Sequence, residues 1–521
     1  MATLTTKVKP FIIKSIIDTL QDVNPASWSP STQYSVGSQV TNAGSIYACT
    51  QAGVSGTSGP QSTGLVADGT CIWVYLKKSK LSSSINSNLY IGIGHPSAWP
   101  NDAAPPVEDT SDVGLTSVGN QSICLLQMTG ADARLGLKTN AWATGTIYTA
   151  YSGVDGDPNG YTSIATGDVY KCIDNNLGAA STVSPSGQFV TPFSTSDGYV
   201  WKYMGTSNSV DITSFGTTQF IPIGVATAAG SVQWDVQSGA APGELSSFVH
   251  PYTVVGAGTI STIATKLVSY NGAAGSVVPT TPGVVSVTLN AGSLQRVFTT
   301  NPGAGYGPNT WAIVYDGNAV DGHCLATATV SGGAVGTVAI TNSGTAYTNG
   351  AVALVIGDGT GASLSVTVDS VNHTVNTITV LSGGTGYTWA QVIIIPGAVA
   401  WVAAAVLGPA LGHGSNIITE LGANGLLLSF DITSTLAPYI QAAFTYRQIS
   451  LISAVQPVTG YANNYFAYIG PQHPSWNSGV YSSTDPCKYV PSSGEVLYVN
   501  NYTPVNHTNT NEEIVKISIS F

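Results

Sequence analysis

Short runs of apolar residues, separated by turn-forming residues, recur along most of this 521-residue chain. Continuous or alternating apolar runs predict strands at 88–94, 167–173, 426–430 and 446–452. Glycine, proline, asparagine or aspartate follows these runs at short intervals, as expected where strands are joined by turns. The pattern therefore predicts a mainly β fold with many short strands.

Two stretches show a helical pattern instead. Within residues 1–25, apolar side chains recur at helical spacing, and Asn24-Pro25 closes the run. We expect this arm to dock on the main body or on a neighbouring subunit. In the second stretch, Asn416 is suited to cap a short helix and Gly422 is suited to end it.

Residues 251–400 contain an internal repeat built on a glycine-rich turn that ends in tyrosine. The repeated tyrosines are Tyr306, Tyr347 and Tyr387, which lie 41 and then 40 residues apart. An apolar run follows each turn, and glycine can adopt the positive φ angles needed where the chain reverses. We therefore predict units of strand, glycine-tyrosine turn and strand that stack as hairpins around a shared core. Such a repeat is more typical of a spacer or interaction domain than of an active site.

The composition favours a protein whose surface is largely covered by partners. Charged residues make up only 8% of the chain, whereas roughly 25% is usual in soluble domains. Charge keeps isolated proteins apart, so a surface with little charge favours association. The net charge of -11 disfavours binding to nucleic acid or to anionic membranes, which attract clustered lysine and arginine.

The chain is long enough for about two to four domains. Residues 1–10 lack the apolar core of a signal peptide, and no run reaches about 18 apolar residues. We therefore expect a protein that is made in a cytoplasm and is not inserted into a membrane. The predicted divisions are an N-terminal arm (1–25), a small aromatic module (26–77), the first part of a core (78–250), a glycine-rich β-repeat insertion (251–400) and the second part of the core (401–521).

The aromatic module resembles the small chitin-binding-like modules often found in glycosidases and phage tail proteins. The residues that carry the resemblance are Trp28, Tyr34, Gly37, Val40, Gly44, Tyr47 and Trp73. Aromatic faces stack on the apolar C–H groups of sugar rings. The candidate carbohydrate-binding residues are therefore Trp28, Tyr34, Tyr47 and Trp73. The alternative is that a unit of this size needs these aromatic residues for its own core.

Six cysteines in a chain of this length do not make a disulfide scaffold. Cys49 and Cys71 lie on predicted strands of the aromatic module that could be neighbours. A disulfide between them is one prediction, and two buried free thiols are the other. The remaining cysteines are predicted to be isolated buried thiols; they are Cys124, Cys172, Cys324 and Cys487.

Several segments imitate chemical sites without completing them. His413 lies two residues from Ser415, but the Gly-x-Ser-x-Gly elbow of hydrolases is missing. Residues 155–160 begin like a calcium-binding loop, yet Thr166 stands where a bidentate glutamate is needed. The histidines lack zinc-site spacing, and no glycine run is followed by Gly-Lys-Ser/Thr. We therefore expect no enzymatic activity, no metal and no cofactor.

An ordered set of motifs resembles one family of structural proteins. The motifs are Tyr90-Ile91-Gly92-Ile93-Gly94, Trp99-Pro100, Pro105-Pro106, Tyr170-Lys171-Cys172-Ile173, Asn175-Asn176, Asp197-Gly198-Tyr199-Val200-Trp201-Lys202-Tyr203, Gly412-His413-Gly414-Ser415-Asn416, Glu420-Leu421-Gly422, Tyr446-Arg447-Gln448-Ile449-Ser450-Leu451-Ile452, Gly494-Glu495-Val496-Leu497-Tyr498-Val499-Asn500-Asn501 and Pro504-Val505-Asn506. Over most of 80–250 and 400–521, the chain is similar to baseplate wedge proteins of contractile-tailed bacteriophages, in particular to their dimeric wedge subunit. The module and the repeat depart from the family pattern.

The resemblance implies a non-enzymatic virion protein of the tail baseplate, assembled in the host cytoplasm. We expect a β-sandwich-like core with two insertions, and a homodimer that bridges other baseplate wedge proteins and tail-fibre proteins. Segment 408–452 is expected to pair with strands of 80–250. In it, His413 and Ser415 are expected to shape a loop, Asn416 to cap the helix and Arg447 to anchor an ion pair. The alternative is a tail or fibre adaptor that binds host surface glycans through the aromatic module.

Overall fold

The fold is mainly β, as predicted. The computed structural model describes Thr3–Leu4 and residues 27–78, 89–431, 444–453, 465–467, 495–507 and 514–520, with short gaps inside the two long ranges. All ladders between the described strands are antiparallel, and the helices given bounds among the described residues are three short ones. Of the described helices, none is long and apolar enough to cross a membrane. The predicted helix of the N-terminal arm lies outside the described residues.

The elements are numbered in chain order. The strands are β1 (Thr3–Leu4), β2 (Gln33–Tyr34), β3 (Gln39–Asn42), β4 (Ser45–Gln51), β5 (Gly53–Val54), β6 (Leu65–Asp68), β7 (Cys71–Lys78), β8 (Leu89–Gly94), β9 (Ser122–Gln127), β10 (Ala133–Lys138), β11 (Tyr161–Ser163), β12 (Asp168–Asp174), β13 (Phe193–Ser194), β14 (Val200–Thr206), β15 (Phe220–Ile223), β16 (Leu245–Phe248), β17 (Thr253–Gly256), β18 (Ile263–Tyr270), β19 (Val284–Asn290), β20 (Ser293–Asn301), β21 (Asn309–Asp316), β22 (Leu325–Ser331), β23 (Ala334–Asn342), β24 (Val352–Gly357), β25 (Thr360–Asp369), β26 (Thr374–Thr385), β27 (Ala390–Ile395), β28 (Val399–Leu407), β29 (Gly425–Asp431), β30 (Phe444–Ser453), β31 (Tyr465–Ala467), β32 (Glu495–His507) and β33 (Ile514–Ser520). The helices are α1 (Ser209–Phe215), α2 (Val232–Gly239) and α3 (Ile417–Leu421).

The chain divides into two compact units. The first comprises residues 1–139, 207–224 and 423–521, and the second comprises 140–206 and 225–422. These units cut across the predicted 78–250 segment, since 140–206 and 225–250 group with the repeat. The physical reason is contact inside the second unit, where β16 joins β28 and Lys171 of β12 forms an ion pair with Glu420 of α3.

In the first unit, two sheets join distant strands, a four-stranded sheet lies in the aromatic module, and β2 pairs with β5. The orders of the first three sheets are β1-β32-β30-β8-β9-β31, β15-β10-β29-β33 and, in the aromatic module, β3-β4-β7-β6. The predicted pairing of segment 408–452 with strands of 80–250 is confirmed, because β30 pairs with β8 and β29 with β10. Leu426, Leu427 and Leu428 of β29 are fully buried, as a continuous apolar run predicts.

The second unit contains an aromatic core on the sheet β11-β12-β14-β13. The core residues are Tyr148, Tyr170, Cys172, Tyr199, Trp201, Tyr203 and Val236. The rings of Tyr199 and Trp201 are stacked at a centroid distance of 5.2 Å. Trp201 and Tyr203 lie two residues apart on one strand and therefore share a face.

The repeat is real, but its turns do not close hairpins. Each tyrosine follows a hairpin, and these hairpins are β19–β20, β22–β23 and β25–β26. The strands after the tyrosines are β21, β24 and β27, which pair elsewhere: β21 with β18 and β28, and β24 with β27. The prediction that the strands on either side of each turn form a hairpin is therefore wrong. The turns at Tyr306 and Tyr387 carry the chain into another sheet, whereas β23 and β24 lie in one sheet with β22 and β27 between them.

Two positions in each turn have positive φ. The first position is Gly303, Gly344 or Gly384, with φ of 59°, 64° and 65°. The second position is Gly305, Ala346 or Gly386, with φ of 80°, 62° and 80°. Positive φ is costly for a residue with a Cβ, so Ala346 is the strained member of this set.

The hydroxyl groups of two repeat tyrosines accept equivalent hydrogen bonds. Tyr306 accepts the backbone N–H of Gly283 at 2.7 Å, and Tyr347 accepts that of Cys324 at 2.9 Å. Each donor lies 23 residues before its tyrosine. Because the rings are buried, these bonds tie the start of each hairpin to its end.

We expect Gly384→Ala to destabilise the protein by about 3 kcal/mol or more. Positive φ is one cause, and the second is that a Cβ at Gly384 would lie 2.3 Å from the carbonyl oxygen of Thr360. Gly332→Ala is the matched control, because Gly332 also has positive φ but has open space around it. It should cost only about 1 kcal/mol. Denaturant unfolding measures both, and equal losses would contradict the steric argument.

Candidate functional site

The loop that contains His413 is shaped by its neighbours in sequence. Gly412 has a φ of 89°, and Asn416 accepts hydrogen bonds from the backbone N–H groups of Ile418 and Thr419 at 3.0 and 3.3 Å. Gly422 ends α3 in the left-handed conformation, with a φ of 68°. The predicted capping of this helix by Asn416 and its termination by Gly422 are confirmed.

Glu420 of α3 is a buried carboxylate that holds this loop closed. One oxygen accepts the backbone N–H of Gly414 at 2.8 Å, and the hydroxyl of Ser415 lies 3.5 Å from the same oxygen. The other oxygen is 3.3 Å from Nδ1 of His413 and 3.2 Å from Nζ of Lys171. A carboxylate with this many donors is stabilised in a place where an unpaired charge would be costly.

His413 joins Glu420 to Ser246. The Ser246 hydroxyl lies 2.9 Å from His413 Nε2, on the opposite side of the ring from Nδ1. If Nδ1 carries the proton and donates it to Glu420, Nε2 accepts the hydrogen bond from Ser246. The three side chains thus follow the serine–histidine–carboxylate order of a hydrolytic triad.

The protonation states agree with this order. Burial lowers the pKa of His413 to about 4, although the hydrogen bond to Glu420 raises it. Burial alone would raise the pKa of Glu420, but the hydrogen bond from His413 and the charge of Lys171 bring it below its usual value. At neutral pH the site therefore holds a neutral imidazole beside an ionised carboxylate.

Two lysines and a second glutamate surround the triad. Nζ of Lys171 lies 3.0 Å from Asp155 and 4.2 Å from the centroid of the Tyr151 ring. Glu244 accepts the backbone N–H of His413, and burial raises its pKa to about 7. Lys202 donates to the carbonyl oxygen of Val190 at 2.5 Å, and burial lowers its pKa.

The segment 155–160, which begins like a calcium-binding loop, takes part in the same network. Its first residue, Asp155, is paired with Lys171, and Asp157 accepts the backbone N–H of Asn159 at 2.8 Å as a turn residue does. Within the residues that the structure describes, no three His, Cys, Asp or Glu side chains are placed to hold a metal ion.

The triad is closed to solvent. Ser246, His413 and Glu420 are exposed by 1%, 1% and 2%. The adjacent cavity, lined in part by Tyr151, Lys171 and Glu420, has a volume of about 10 Å³. That is room for about one water molecule. In this conformation a substrate has no path to the Ser246 hydroxyl, so the arrangement ties segments together.

The serine that lies near His413 in the sequence is not the one that contacts its imidazole. Ser415 touches Glu420, whereas Ser246, which contacts the imidazole, lies 167 residues before it. No spacing pattern marks Ser246, because its position depends on the pairing of β16 with β28.

Arg447 forms an ion pair in the first unit, as the sequence predicted. Its Nε and Nη2 atoms each lie 2.8 Å from an oxygen of Asp102, which is a bidentate arrangement. Nη1 donates to the carbonyl oxygen of Pro96 at 2.8 Å. The hydrogen bond from Arg447 lowers the pKa of Asp102. Arg447 thereby fixes the proline-containing loop that follows β8.

Two of the four candidate sugar-binding residues lie in the core of the aromatic module. Tyr47 and Trp73 are exposed by 1% and 0%. Trp28 and Tyr34 are partly buried against them, with the Trp28 Nε1–H donating to Asp68 at 2.9 Å. The rings of Tyr47 and Trp73 therefore have no face to offer to a sugar. Their arrangement matches the alternative in which the aromatic residues form the core.

Cys49 and Cys71 are buried in the same core, and no disulfide joins them. Cys172 is also buried and Cys324 is partly buried, and both are free. The side chain of Cys124 and all of Cys487 lie outside the described residues.

No known family profile matches the chain, and no curated protein matches it either.

We expect Ser246→Ala to destabilise the protein by about 1–3 kcal/mol, because it leaves a buried imidazole nitrogen without its partner. Ser415→Ala is the matched control and should change stability by less than about 0.5 kcal/mol, because this hydroxyl is partly exposed and its contact is long. Thermal unfolding compares the two.

A fluorophosphonate probe should leave Ser246 of the folded protein unlabelled, and labelling would contradict the closed site.

Glu244→Gln should stabilise the protein more at pH 8 than at pH 5.5. The raised pKa of Glu244 makes its contribution to stability complete below 4.5, the ordinary value, and lost as the pH rises through about 7. Glutamine keeps the hydrogen-bond acceptor and removes this loss, which we place at about 1–2 kcal/mol.

The contribution of His413 to stability changes with pH in the opposite direction. Its lowered pKa gives a contribution that is complete above 6.5 and lost as the pH falls towards about 4. Because Glu244→Gln leaves His413 in place, the difference between variant and wild type isolates Glu244. Unfolding free energies from pH 5.5 to 8 test this, and a difference that does not change with pH would contradict it.

Proposed function

We propose that this chain is a structural subunit of a contractile phage tail baseplate, and that it is not an enzyme. The motif resemblance to baseplate wedge proteins supports the assignment. The buried state of the His413 network supports the absence of catalysis, since its reactive groups bind one another. The observation that carries a role in assembly is an uncharged groove along an open strand edge in the second unit.

The groove runs along β18. This strand ends the order β16-β28-β21-β18, so among the described strands it pairs only with β21. The carbonyl oxygen of Ser269 accepts the N–H of Val277, which lies on the side away from β21. Backbone groups point to alternate sides along a strand, so Thr265 and Leu267 also direct their N–H and C=O groups into the groove.

The walls of the groove are uncharged. They are formed by Thr265, Leu267, Ser269, Val277, Pro279, Pro282, Gly283, Val284, Val285 and Tyr306, around a volume of about 310 Å³. Val284 in the wall is 52% exposed. Val278, which lies between the wall residues Val277 and Pro279 in the sequence, is 84% exposed. Exposed apolar side chains next to unpaired backbone groups are what strand addition uses, the backbone for affinity and the side chains for selection.

The occupant that fits is an extended, uncharged segment of a neighbouring baseplate protein. A charged ligand would lose its hydration without finding a counter-charge in these walls. A strand would satisfy the backbone groups of Thr265 and Leu267 and cover the valines. The chain would thus hold its neighbours, other wedge proteins or tail-fibre proteins, at fixed geometry in the virion. A homodimer assembled in the host cytoplasm remains part of this proposal.

The glycan-binding alternative has less support. It needs exposed aromatic faces, and Tyr47 and Trp73 are core residues.

Thr265→Pro tests the groove. Proline removes the N–H that points into the groove and leaves the hydrogen bonds to β21, which belong to the alternate residues. We expect the free protein to stay folded, while its incorporation into phage particles falls at least about tenfold, the equivalent of about 1.4 kcal/mol. Thr265→Val keeps the N–H and should be incorporated like the wild type. Equal incorporation of the two variants would contradict strand addition at β18.

A map of the whole particle tests the assignment itself. We expect the chain in the ring at the end of the tail, with density for an added strand beside β18. Placement elsewhere in the particle, or absence from it, would refute the baseplate proposal. Hydrogen exchange of 263–270 in free and assembled protein tests strand addition separately from the baseplate assignment. Protection of these amides on assembly would support strand addition at β18 wherever the chain lies in the particle.

A further inference from the structure

The aromatic module contains two thiols placed to form a bond. Cys49 on β4 stands opposite Trp73 on β7, and Cys71 lies two residues before Trp73 on the same strand. Side chains two residues apart on a strand share a face, so Cys49 and Cys71 are diagonal neighbours on one face of the sheet. Their side chains are hydrogen-bonded to each other. The two thiol groups are therefore neighbours in one core.

The surroundings keep this pair reduced and separate from other thiols. Cys49 and Cys71 are exposed by 2% and 0%, within a core that includes Val40, Tyr47 and Trp73. Burial, with the nearby charge of Asp68, raises the pKa of Cys71. A protonated buried thiol reacts slowly with oxidants.

We propose that Cys49 and Cys71 are a latent disulfide, which closes when local opening of the module lets a small disulfide oxidant reach the thiols. One thiolate attacks a sulfur of oxidised glutathione, forms a mixed disulfide and releases one glutathione thiolate. The second cysteine thiolate then attacks the protein sulfur of the mixed disulfide and releases the other glutathione. The two thiol protons end on the two glutathiones. The cysteine pair is oxidised by two electrons, and the glutathione disulfide is reduced by two.

The bond would strengthen the part of the protein that most needs it. The module core has five buried and three partly buried hydrophobic residues, and a small core supplies little stability by itself. A link between β4 and β7 would close the loop that carries β5 and β6, and so restrict the unfolded module. The proposal does not rest on the baseplate assignment. If that assignment holds, the pair would be reduced in the cytoplasm and free to close in the released particle.

The test uses the full-length protein, purified in reductant and then incubated with oxidised or reduced glutathione. Peptide mass spectrometry after alkylation in denaturant should find Cys49 linked to Cys71 in the oxidised sample alone. Hydrogen exchange of residues 38–78, measured at increasing temperature, should show that the module of the oxidised sample melts about 5 °C or more above that of the reduced sample. Both effects should disappear in Cys49→Ser and in Cys71→Ser. They should persist in Cys324→Ser, the matched control in the second unit.

Three results would overturn the proposal. They are alkylation of both thiols after oxidation, glutathione retained on either cysteine, or a link from either of them to a third cysteine. The cross-link assay on wild-type protein decides the matter even where a serine variant fails to fold.

Discussion

The second unit depends on the burial of one carboxylate. Glu420 lies on a five-residue helix that is too short to be stable alone. Its oxygens bind the Gly414 amide, the His413 imidazole and the Lys171 ammonium group, which come from a loop and from a strand about 250 residues away. Removal of any one partner would leave a buried charge unsatisfied, so these segments are held as a set.

This requirement also explains why a triad-like geometry arises without access to substrate. A buried imidazole needs a partner for each nitrogen, and Glu420 and Ser246 supply them. The same demand produces a serine–histidine–carboxylate order in a catalytic site. Access to the hydroxyl distinguishes the two cases, and here the side chains are covered on all sides.

The repeat shows how one local solution serves different surroundings. Ten residues before the repeat tyrosine, Thr337 and Thr377 bond to threonines across their hairpins at 2.8 and 2.6 Å. The equivalent residue of the first repeat is Arg296, which instead binds Asp174 at 2.5 Å. The turn and the tyrosine are the same in the three repeats, whereas the residue ten positions before the tyrosine differs according to the groups that it contacts. The first repeat thereby docks on the aromatic sheet of the second unit.

The sequence by itself determined the local features of this protein: the mainly β fold, the strands near 88–94 and 426–430, the cap at Asn416 and the spacing of the repeat. Each follows from interactions between residues close in the chain, and these leave a periodic or compositional mark. Only the tertiary structure decided that Ser246 would bind His413, that Tyr47 and Trp73 would be buried, and that the strands on either side of each glycine-tyrosine turn would pair with other strands. Those outcomes depend on which distant strands pair, and such pairing is fixed by packing of the whole unit, which leaves no local signal.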